Sequence, residues 1–235
     1  GYIRITQFQE NTGADLAAAI EEWRRQQTIT GIILDLRNNP GGVLDAAVEV
    51  VDAFISTGLI VYTEGRASNS QVSYSATSHT PAGSLPVVVL INGGSASASE
   101  IVAGALQDHQ RALIVGTQSF GKGSVQSVLP ITEDRAVKLT TARYFTPNGR
   151  SIQAEGIRPD IWIEQSEVTP QEQRVYKESN LPGHLRNPEN SNKDVKNPDS
   201  AAADPGTELL KKDFQLYEAH TLLRGFRILG NPRES

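Results

Sequence analysis

Cysteine is absent from the 235 residues of this sequence, and methionine is absent too. The lack of cysteine excludes disulfide bonds, thiolate zinc sites, iron–sulfur clusters and a cysteine nucleophile. Gly1 leads directly into the strand-like run 2–6 without an initiator methionine. We therefore expect the chain to be a processed product or one part of a longer protein.

Positive charge and long apolar runs are also scarce. The formal net charge is -5 and no run of five basic residues occurs, which argues against a nucleic-acid-binding face. The longest apolar run, 85–91, has the length of a strand and falls far short of the ~20 residues of a membrane span. With 38% hydrophobic and 21% charged residues, the composition is typical of a globular chain, and we expect one domain with appendages.

Strand-like and helix-like segments alternate up to about residue 116. Apolar periodicity predicts helices over 12–27, from Leu44 to a stop at Gly58, and from Ser97 to His109. In the first helix we expect Thr12 and Asp15 to cap the N-terminus; in the second, we expect Leu44, Val48, Val51 and Ile55 to face inward. The strands predicted between the helices are 30–36, 59–63, 71–75, 86–91 and 112–115. This alternation indicates βαβ units around a mostly parallel sheet.

The pattern changes after residue 116. Segments 125–129 and 136–145 have strand character and are joined by the polar turn 132–134, which predicts an antiparallel hairpin. The expected fold class is therefore α/β: a mostly parallel sheet with flanking helices plus an antiparallel hairpin addition, a disordered linker and a C-terminal helix.

The last third of the chain has a different composition. Residues 187–206 are mostly Asn, Asp, Pro, Ser and Ala, which predicts a disordered linker. A final helix over about 207–224 presents Leu210, Phe214 and Tyr217 on one face, and it either docks on the core or mediates assembly. We divide the chain into a core (1–165), an extension of the core (166–186), the linker (187–206) and a helical tail (207–235).

Three glycine-marked turns, 37–42, 92–97 and 116–123, each follow a predicted strand. In open α/β sheets, functional sites gather beyond the carboxyl ends of the strands. The sequence therefore predicts that the three turns converge on one cleft.

The third turn fits the Gly-x-x-x-x-Gly-Lys pattern of a phosphate-binding loop between Gly116 and Lys122. However, Gly123 follows the lysine, so the hydroxyl that such loops offer to a metal is missing or displaced to Ser124. The next segment is also a predicted strand, whereas a phosphate loop needs a helix N-terminus there. Nucleotide binding is thus the third-ranked hypothesis.

The second turn offers a nucleophile. Ser97 opens a predicted helix, so its hydroxyl lies at the positive end of the helix dipole beside free backbone amides, which are the parts of an oxyanion hole. The alternative is simple helix capping by Ser97 and Glu100. The bare sequence does not choose Ser97 over Ser95 or Ser99.

Few residues are candidates for the general base that would activate this serine. His109 lies at the far end of the same helix, roughly 18 Å away at ~1.5 Å per residue, so it cannot pair with Ser97. The other histidines lie in a polar loop or in the tail: His79, His184 and His220. Lysine can replace histidine when burial disfavours its charged form. Lys122 follows a buried strand and Gln126 shares its face in an extended segment, although a lysine in a glycine-rich turn is ordinarily solvated.

Four distinctive segments follow one another along the chain. They are 35–42 (Asp-Leu-Arg-Asn-Asn-Pro-Gly-Gly), 94–100 (Gly-Ser-Ala-Ser-Ala-Ser-Glu), 120–126 (Phe-Gly-Lys-Gly-Ser-Val-Gln) and 144–153 (Tyr-Phe-Thr-Pro-Asn-Gly-Arg-Ser-Ile-Gln). Together they resemble the successive signatures of the carboxyl-terminal processing proteases, also called tail-specific proteases. The resemblance runs from about residue 2 to 165.

The resemblance implies a serine endopeptidase that cleaves protein substrates near their C-termini through an acyl-enzyme. Ser97 is then the nucleophile, Lys122 the general base and Gln126 the residue that holds the lysine. The backbone amides of Gly42 and Ala98 would form the oxyanion hole, with Gly41 as an alternative to Gly42. No metal or cofactor is expected, and the substrate would bind in extended form along a strand edge.

The family also carries a PDZ domain and a helical segment before the strand with which this chain begins, so tail capture is an open question here. The same fold could therefore be an inactive or autoinhibited peptide-binding scaffold, which is the second hypothesis. By resemblance to bacterial members, we expect a periplasmic or otherwise extracytoplasmic location. An oligomer or an adaptor partner is compatible with the tail helix.

Overall fold

The computed structural model describes residues 1–27, 29–65, 71–132, 134–167, 178, 182–183, 185 and 205–230. Five helices and nine strands lie within these ranges. In chain order they are β1 (Tyr2–Arg4), α1 (Thr12–Arg25), β2 (Ile32–Asp35), α2 (Leu44–Asp52), β3 (Leu59–Gly65), β4 (Val72–Ser75), β5 (Val87–Ile91), α3 (Ala98–Asp108), β6 (Leu113–Gly116), β7 (Ser124–Thr132), β8 (Arg135–Phe145), β9 (Ile161–Trp162), α4 (Pro205–Lys212) and α5 (Phe214–Gly230).

A parallel sheet with the strand order β1-β2-β5-β6-β9 forms the centre of the molecule. Two of its interior strands, β2 and β5, are buried at every position because helices cover both faces. Ile32 and Leu34 belong to the large core shared with α1, α2 and α3, whereas Ile33 faces α5 on the other side. The predicted α/β class with a mostly parallel sheet is thus confirmed.

A separate antiparallel sheet has the order β4-β3-β8-β7. The predicted hairpin is present as β7 and β8, but β3 and β4 were expected in the parallel sheet and instead join the hairpin. Tyr62 of β3 pairs with Phe145 of β8, and their rings stack with centroids 5.1 Å apart. This cross-strand pairing fixes β3 beside β8, which the order of elements along the chain does not reveal.

Two helix ends differ from the prediction. Asn11, and not Thr12, is the N-cap of α1, because Thr12 has already turned into the helix and its Oγ1 accepts the N–H of Gln9. The second helix ends at Asp52, well before Gly58, and its most buried positions are Ala46, Ala47, Val50 and Val51. The four side chains expected to face inward do so: Val51 and Ile55 are buried, and Leu44 and Val48 are partly buried against the core. Because the helix packs against both α1 and α3, its buried stripe is wider than the single face expected.

The tail is broken where one continuous helix was predicted. Asp213 separates α4 from α5, and its Oδ1 accepts the N–H of Leu216 at 3.0 Å, which caps the second helix. The side chains of α5 that pack on the sheet are Leu216, Ala219 and Leu223, together with Leu222, rather than the predicted Leu210, Phe214 and Tyr217. Of the two roles considered for the tail helix, docking on the core and assembly, the structure shows docking for α5.

The predicted linker falls mostly outside the described residues. This applies to 187–204, while residues 205 and 206 open α4 instead of belonging to a linker. Most of the predicted extension 166–186 also lies outside the described ranges. None of the helices in the described part of the chain is both long enough and apolar enough to cross a membrane.

Candidate active site

Three loops meet at the carboxyl ends of β2, β5 and β6. We call them loop 1 (37–42), loop 2 (92–97) and loop 3 (116–123). Their parent strands are neighbours in the order β2-β5-β6, so the loops leave the same edge of the sheet side by side. The structure brings the three glycine-marked turns together, as the sequence predicts.

Loops 1 and 2 are joined by a set of hydrogen bonds. The side chain of Asn92 accepts the N–H of Asn38 at 2.9 Å and donates to the Asn38 side chain at 3.0 Å. The carbonyl oxygen of Asn39 accepts the N–H of Ala96 and the hydroxyl of Ser99, each at 2.9 Å. These bonds hold the glycines of loop 1 against the start of α3.

The three serines of the Ser-x-Ser-x-Ser motif have different environments. Ser95 and Ser99 are fully buried, and their hydroxyls donate to the carbonyl oxygens of Leu36 and Asn39. Ser97 alone among the three is partly exposed to solvent. The surroundings therefore favour Ser97 as the hydroxyl available to a substrate, a choice that composition and spacing left open.

The backbone of Ser97 is strained. Its φ of 57° and ψ of -113° place an L-residue in a region that costs energy and that often marks functional sites. Gly41 passes close to this turn: a Cβ there would lie 2.9 Å from Ser97 Cβ and 3.0 Å from the amide nitrogen of Ala98. Loop 1 thus approaches the helix start more closely than any side chain would allow.

Two backbone amides near Ser97 have no hydrogen-bond acceptor within the described residues, those of Gly42 and Ala98. The amide of Gly41 is different, because it donates to the side-chain oxygen of Asn39 at 2.9 Å. Ala98 is the first residue of α3, so its N–H also lies at the positive end of the helix dipole.

Glu100 connects loop 2 with loop 3, a role that sequence reasoning missed. This residue is completely buried, and its Oε2 accepts the N–H of Ser97 at 2.7 Å and the N–H of Lys122 at 2.8 Å. Its Oε1 accepts the N–H of Gly121 and the hydroxyl of Ser119, each at 2.6 Å. The capping interpretation of Glu100 is correct for the bond to Ser97, but three further bonds reach across to loop 3.

The side chains proposed as the catalytic pair, Ser97 and Lys122, share no hydrogen bond in the described part of the chain. Lys122 is partly buried, and its Nζ has no hydrogen-bond or ion-pair partner among the residues described, including Ser97 Oγ. Gln126 lies in β7 with an exposed side chain, and no hydrogen bond joins it to Lys122 in the described part of the chain. The structure therefore brings the backbones of Ser97 and Lys122 together without pairing their side chains.

The histidines take no part in the site, as far as they are described. The ring of His109 hydrogen-bonds to the carbonyl oxygen of Leu59 at 2.7 Å, and His79 pairs with Glu21 at 3.2 Å. His220 lies exposed on α5, and His184 is outside the described ranges.

The phosphate-loop hypothesis lacks its structural context. Lys122 is followed by the strand β7 and not by a helix, so no helix N-terminus is present to hold a phosphate group. Within the described ranges, no group of three or more His, Asp or Glu side chains is placed to hold a metal ion.

Comparison with known proteins agrees with the resemblance seen in the motifs. Residues 1–163 match the family model described as peptidase family S41. The chain belongs to peptidase family S41. This S41 chain is 49% identical over 232 residues to the carboxy-terminal-processing protease of Bartonella bacilliformis, an alignment that covers 96% of this chain and 52% of the relative.

A second relative is the carboxyl-terminal-processing protease of Synechocystis sp., 44% identical over 165 residues, with 70% of this chain and 38% of the relative covered. The S41 chain thus spans about half, or less, of the length of the curated relatives it matches. Among solved structures, a photosystem II D1 C-terminal processing protease superposes with a TM-score of 0.64 at 39% identity, covering 70% of this chain and 42% of the other.

Proposed function

We propose that this S41 chain is the catalytic core of a serine endopeptidase that cleaves proteins near their C-termini. Ser97 Oγ attacks the carbonyl carbon of the scissile peptide bond while Lys122 Nζ accepts the hydroxyl proton. The lysine returns that proton to the leaving amine, and water then hydrolyses the acyl-enzyme. The location that fits the family is extracytoplasmic.

One observation carries the proposal: a single carboxylate oxygen, Glu100 Oε2, binds both Ser97 N–H and Lys122 N–H. The two nitrogens therefore cannot be farther apart than the sum of the two hydrogen-bond distances. A lysine side chain has four rotatable carbon–carbon bonds, and we propose that their rotation brings Lys122 Nζ to the hydroxyl of Ser97. Because Nζ has no partner in the described residues, that rotation breaks no hydrogen bond.

The amides near Ser97 support an oxyanion hole made by Gly42 and Ala98. Both N–H groups have no acceptor in the described part of the chain, whereas the amide of Gly41 is already bonded to Asn39. Free, preorganised donors stabilise the negative charge that develops on the carbonyl oxygen in the transition state. This difference favours Gly42 over Gly41 as the second donor.

The antiparallel sheet supports an extended mode of substrate binding. Strand β7 begins directly after loop 3 and lies at one edge of this sheet, so part of its backbone is available to pair with a peptide. A peptide along that edge would run past Lys122. We assign Gln126, four residues on in the same extended segment, the role of holding the lysine amine once the site is assembled.

The test is hydrolysis of a peptide that carries a fluorophore near its C-terminus. Ser97→Ala and Lys122→Ala should each reduce kcat by roughly four orders of magnitude or more without unfolding the chain. Ser124→Ala is the matched control, because it removes a hydroxyl two residues from Lys122 that the mechanism does not use. Hydrolysis at the wild-type rate by Ser97→Ala would exclude this serine as the nucleophile.

A second candidate is an inactive or autoinhibited peptide-binding protein, favoured because no hydrogen bond joins the side chains of Ser97 and Lys122 in the described residues. A fluorophosphonate probe separates the two candidates, because it forms a covalent bond only with an activated serine. Labelling that disappears in Lys122→Ala supports the peptidase. Peptide binding without labelling supports the second candidate.

A further inference from the structure

Arg37, at the start of loop 1, has a partner for each of its five N–H groups. The carboxylate of Asp35 accepts two of these hydrogen bonds, from Nε to Oδ1 at 2.9 Å and from Nη2 to Oδ2 at 2.7 Å. Asp213 takes two more, from Nη1 to Oδ1 at 2.9 Å and from Nη2 to Oδ2 at 2.7 Å. The last goes from Nη1 to the side-chain oxygen of Gln215 at 3.1 Å.

Three of these five bonds therefore come from the tail, across 176 residues of sequence in the case of Asp213. The geometry is bidentate toward both carboxylates, which fixes the plane of the guanidinium as well as its position. Arg37 is only 9% exposed, so solvent does not readily replace a lost partner.

The tail residues are themselves held rigidly. Asp213 caps α5, and Gln215 donates its side-chain N–H to the carbonyl oxygen of Ile163 at 2.7 Å. The same helix packs Leu216, Ala219 and Leu223 against the second face of the parallel sheet. The carboxylate of Asp213 thus reaches Arg37 from a docked element.

Arg37 leads directly into the residues that shape the site. The carbonyl oxygen of Asn39, two residues on, binds the start of α3, and the Asn39 side chain orients the amide of Gly41. Gly42, the proposed oxyanion donor, follows. A change in the position of Arg37 is therefore transmitted along a short, hydrogen-bonded segment to this amide.

The charge environment of Asp213 is consistent with a permanent ion pair. Burial raises the pKa of Asp213, but the hydrogen bonds from Arg37 and from the N–H of Leu216 outweigh it and leave the pKa below its ordinary value. The carboxylate is therefore ionised at neutral pH and faces a guanidinium that stays protonated.

We infer that Asp213 is a positioning residue of the peptidase: through Arg37 it holds loop 1 so that the Gly42 amide points at the developing oxyanion. The inference rests on the proposed function, since it assigns a purpose to the oxyanion donor. The docked tail is thus a part of the catalytic apparatus that touches no substrate.

Asp213→Asn is the sharpest perturbation, because asparagine still caps a helix but replaces the carboxylate that Arg37 binds. Two controls belong beside it in the full chain. Glu218→Gln removes one negative charge from the same helix at a carboxylate without a partner in the described residues. Leu223→Ala weakens the packing of α5 on the sheet without touching Arg37.

The first readout is amide hydrogen exchange of peptides spanning 37–43, which does not depend on activity. We expect exchange there to be faster by about tenfold in Asp213→Asn and unchanged in Glu218→Gln. The second readout is kcat per active site, with active sites counted from the burst of acylation. We expect kcat per active site to fall by about tenfold or more with KM nearly unchanged, because the oxyanion donor is misplaced. A loss of folded protein would lower only the number of active sites and would leave kcat per site unchanged.

Unchanged exchange in Asp213→Asn would overturn the inference. Equal acceleration in Asp213→Asn and Leu223→Ala at the same loss of stability would also overturn it, because the role would then be docking alone. If exchange accelerates selectively but the wild-type chain hydrolyses nothing, the connection between Asp213 and loop 1 is supported and the proposed function is refuted.

Discussion

The buried carboxylate of Glu100 offers a direct test of how the site is built. Four donors converge on its two oxygens: the N–H groups of Ser97, Gly121 and Lys122, and the hydroxyl of Ser119. Glu100→Gln keeps the shape of the side chain but replaces one acceptor oxygen by an amide –NH₂, which cannot accept.

The magnitude follows from the two possible orientations of the glutamine. If –NH₂ replaces Oε2, the N–H groups of Ser97 and Lys122 both lose their acceptor. If it replaces Oε1, the Ser119 hydroxyl can turn and accept, but its own proton and the N–H of Gly121 then both lose their acceptor. Either orientation thus leaves two donors unpaired, which together with the lost charge should lower the unfolding free energy by about 2 to 4 kcal/mol.

The assay is urea denaturation together with thermal unfolding, in which this loss corresponds to a decrease in Tm of about 5 to 15 °C for a chain of this size. Glu155→Gln is the matched control, because that carboxylate is exposed and has no side-chain partner in the described ranges. The control should stay within about 0.5 kcal/mol of the wild type. We also expect kcat to fall by about tenfold, since Gly121 adjoins Lys122, the proposed general base. Wild-type stability in Glu100→Gln would refute the connection between the two loops.

Three further predictions concern the loops and the tail. Gly42→Ala should destabilise the chain by about 2 kcal/mol or more and abolish hydrolysis, because φ is +148° and a Cβ would overlap the carbonyl oxygen of Phe8. Urea denaturation measures the loss of stability, and kcat measures the loss of hydrolysis. Asn92→Ala should cost about 1 to 2 kcal/mol by removing its bonds to Asn38, measured by the same denaturation. The lowered pKa of Asp213 means that its ion pair contributes fully above about pH 5 and is lost as the pH falls through the pKa of the folded chain. The denaturation midpoints of wild type and Asp213→Asn, measured from pH 7 to pH 3, should therefore converge at the acid end, and a constant difference would contradict the assignment.

Local sequence patterns were enough to place the three loops. Each follows a strongly apolar strand and contains glycines, and the carboxyl ends of adjacent parallel strands necessarily meet. Helix α3 was predicted within one residue at each end, since Ser97 and Glu100 mark its start. These features depend on neighbours in sequence or on a general rule of sheet topology.

Features that depend on distant partners were not accessible in the same way. The antiparallel pairing of β3 with β8 joins Tyr62 to Phe145, and no local sequence pattern near either residue predicts this pairing. Glu100 shows the same limit, because a capping glutamate and a glutamate that also binds Lys122 have the same local sequence. A partial signal existed for the break at Asp213, since aspartate is a favoured helix N-cap.

The five hydrogen bonds of the Arg37 side chain affect when, during synthesis, loop 1 can reach its final arrangement. A ribosome that adds about 5 to 20 residues per second needs roughly 10 to 35 s to travel from Arg37 to Asp213. During that interval, the guanidinium has Asp35 as a partner but lacks the three acceptors supplied by the tail. A nascent chain therefore carries Ser97 and Lys122 before it carries Asp213. Under the proposed function, we expect hydrolysis to begin only after synthesis has passed Lys122 by almost a hundred residues.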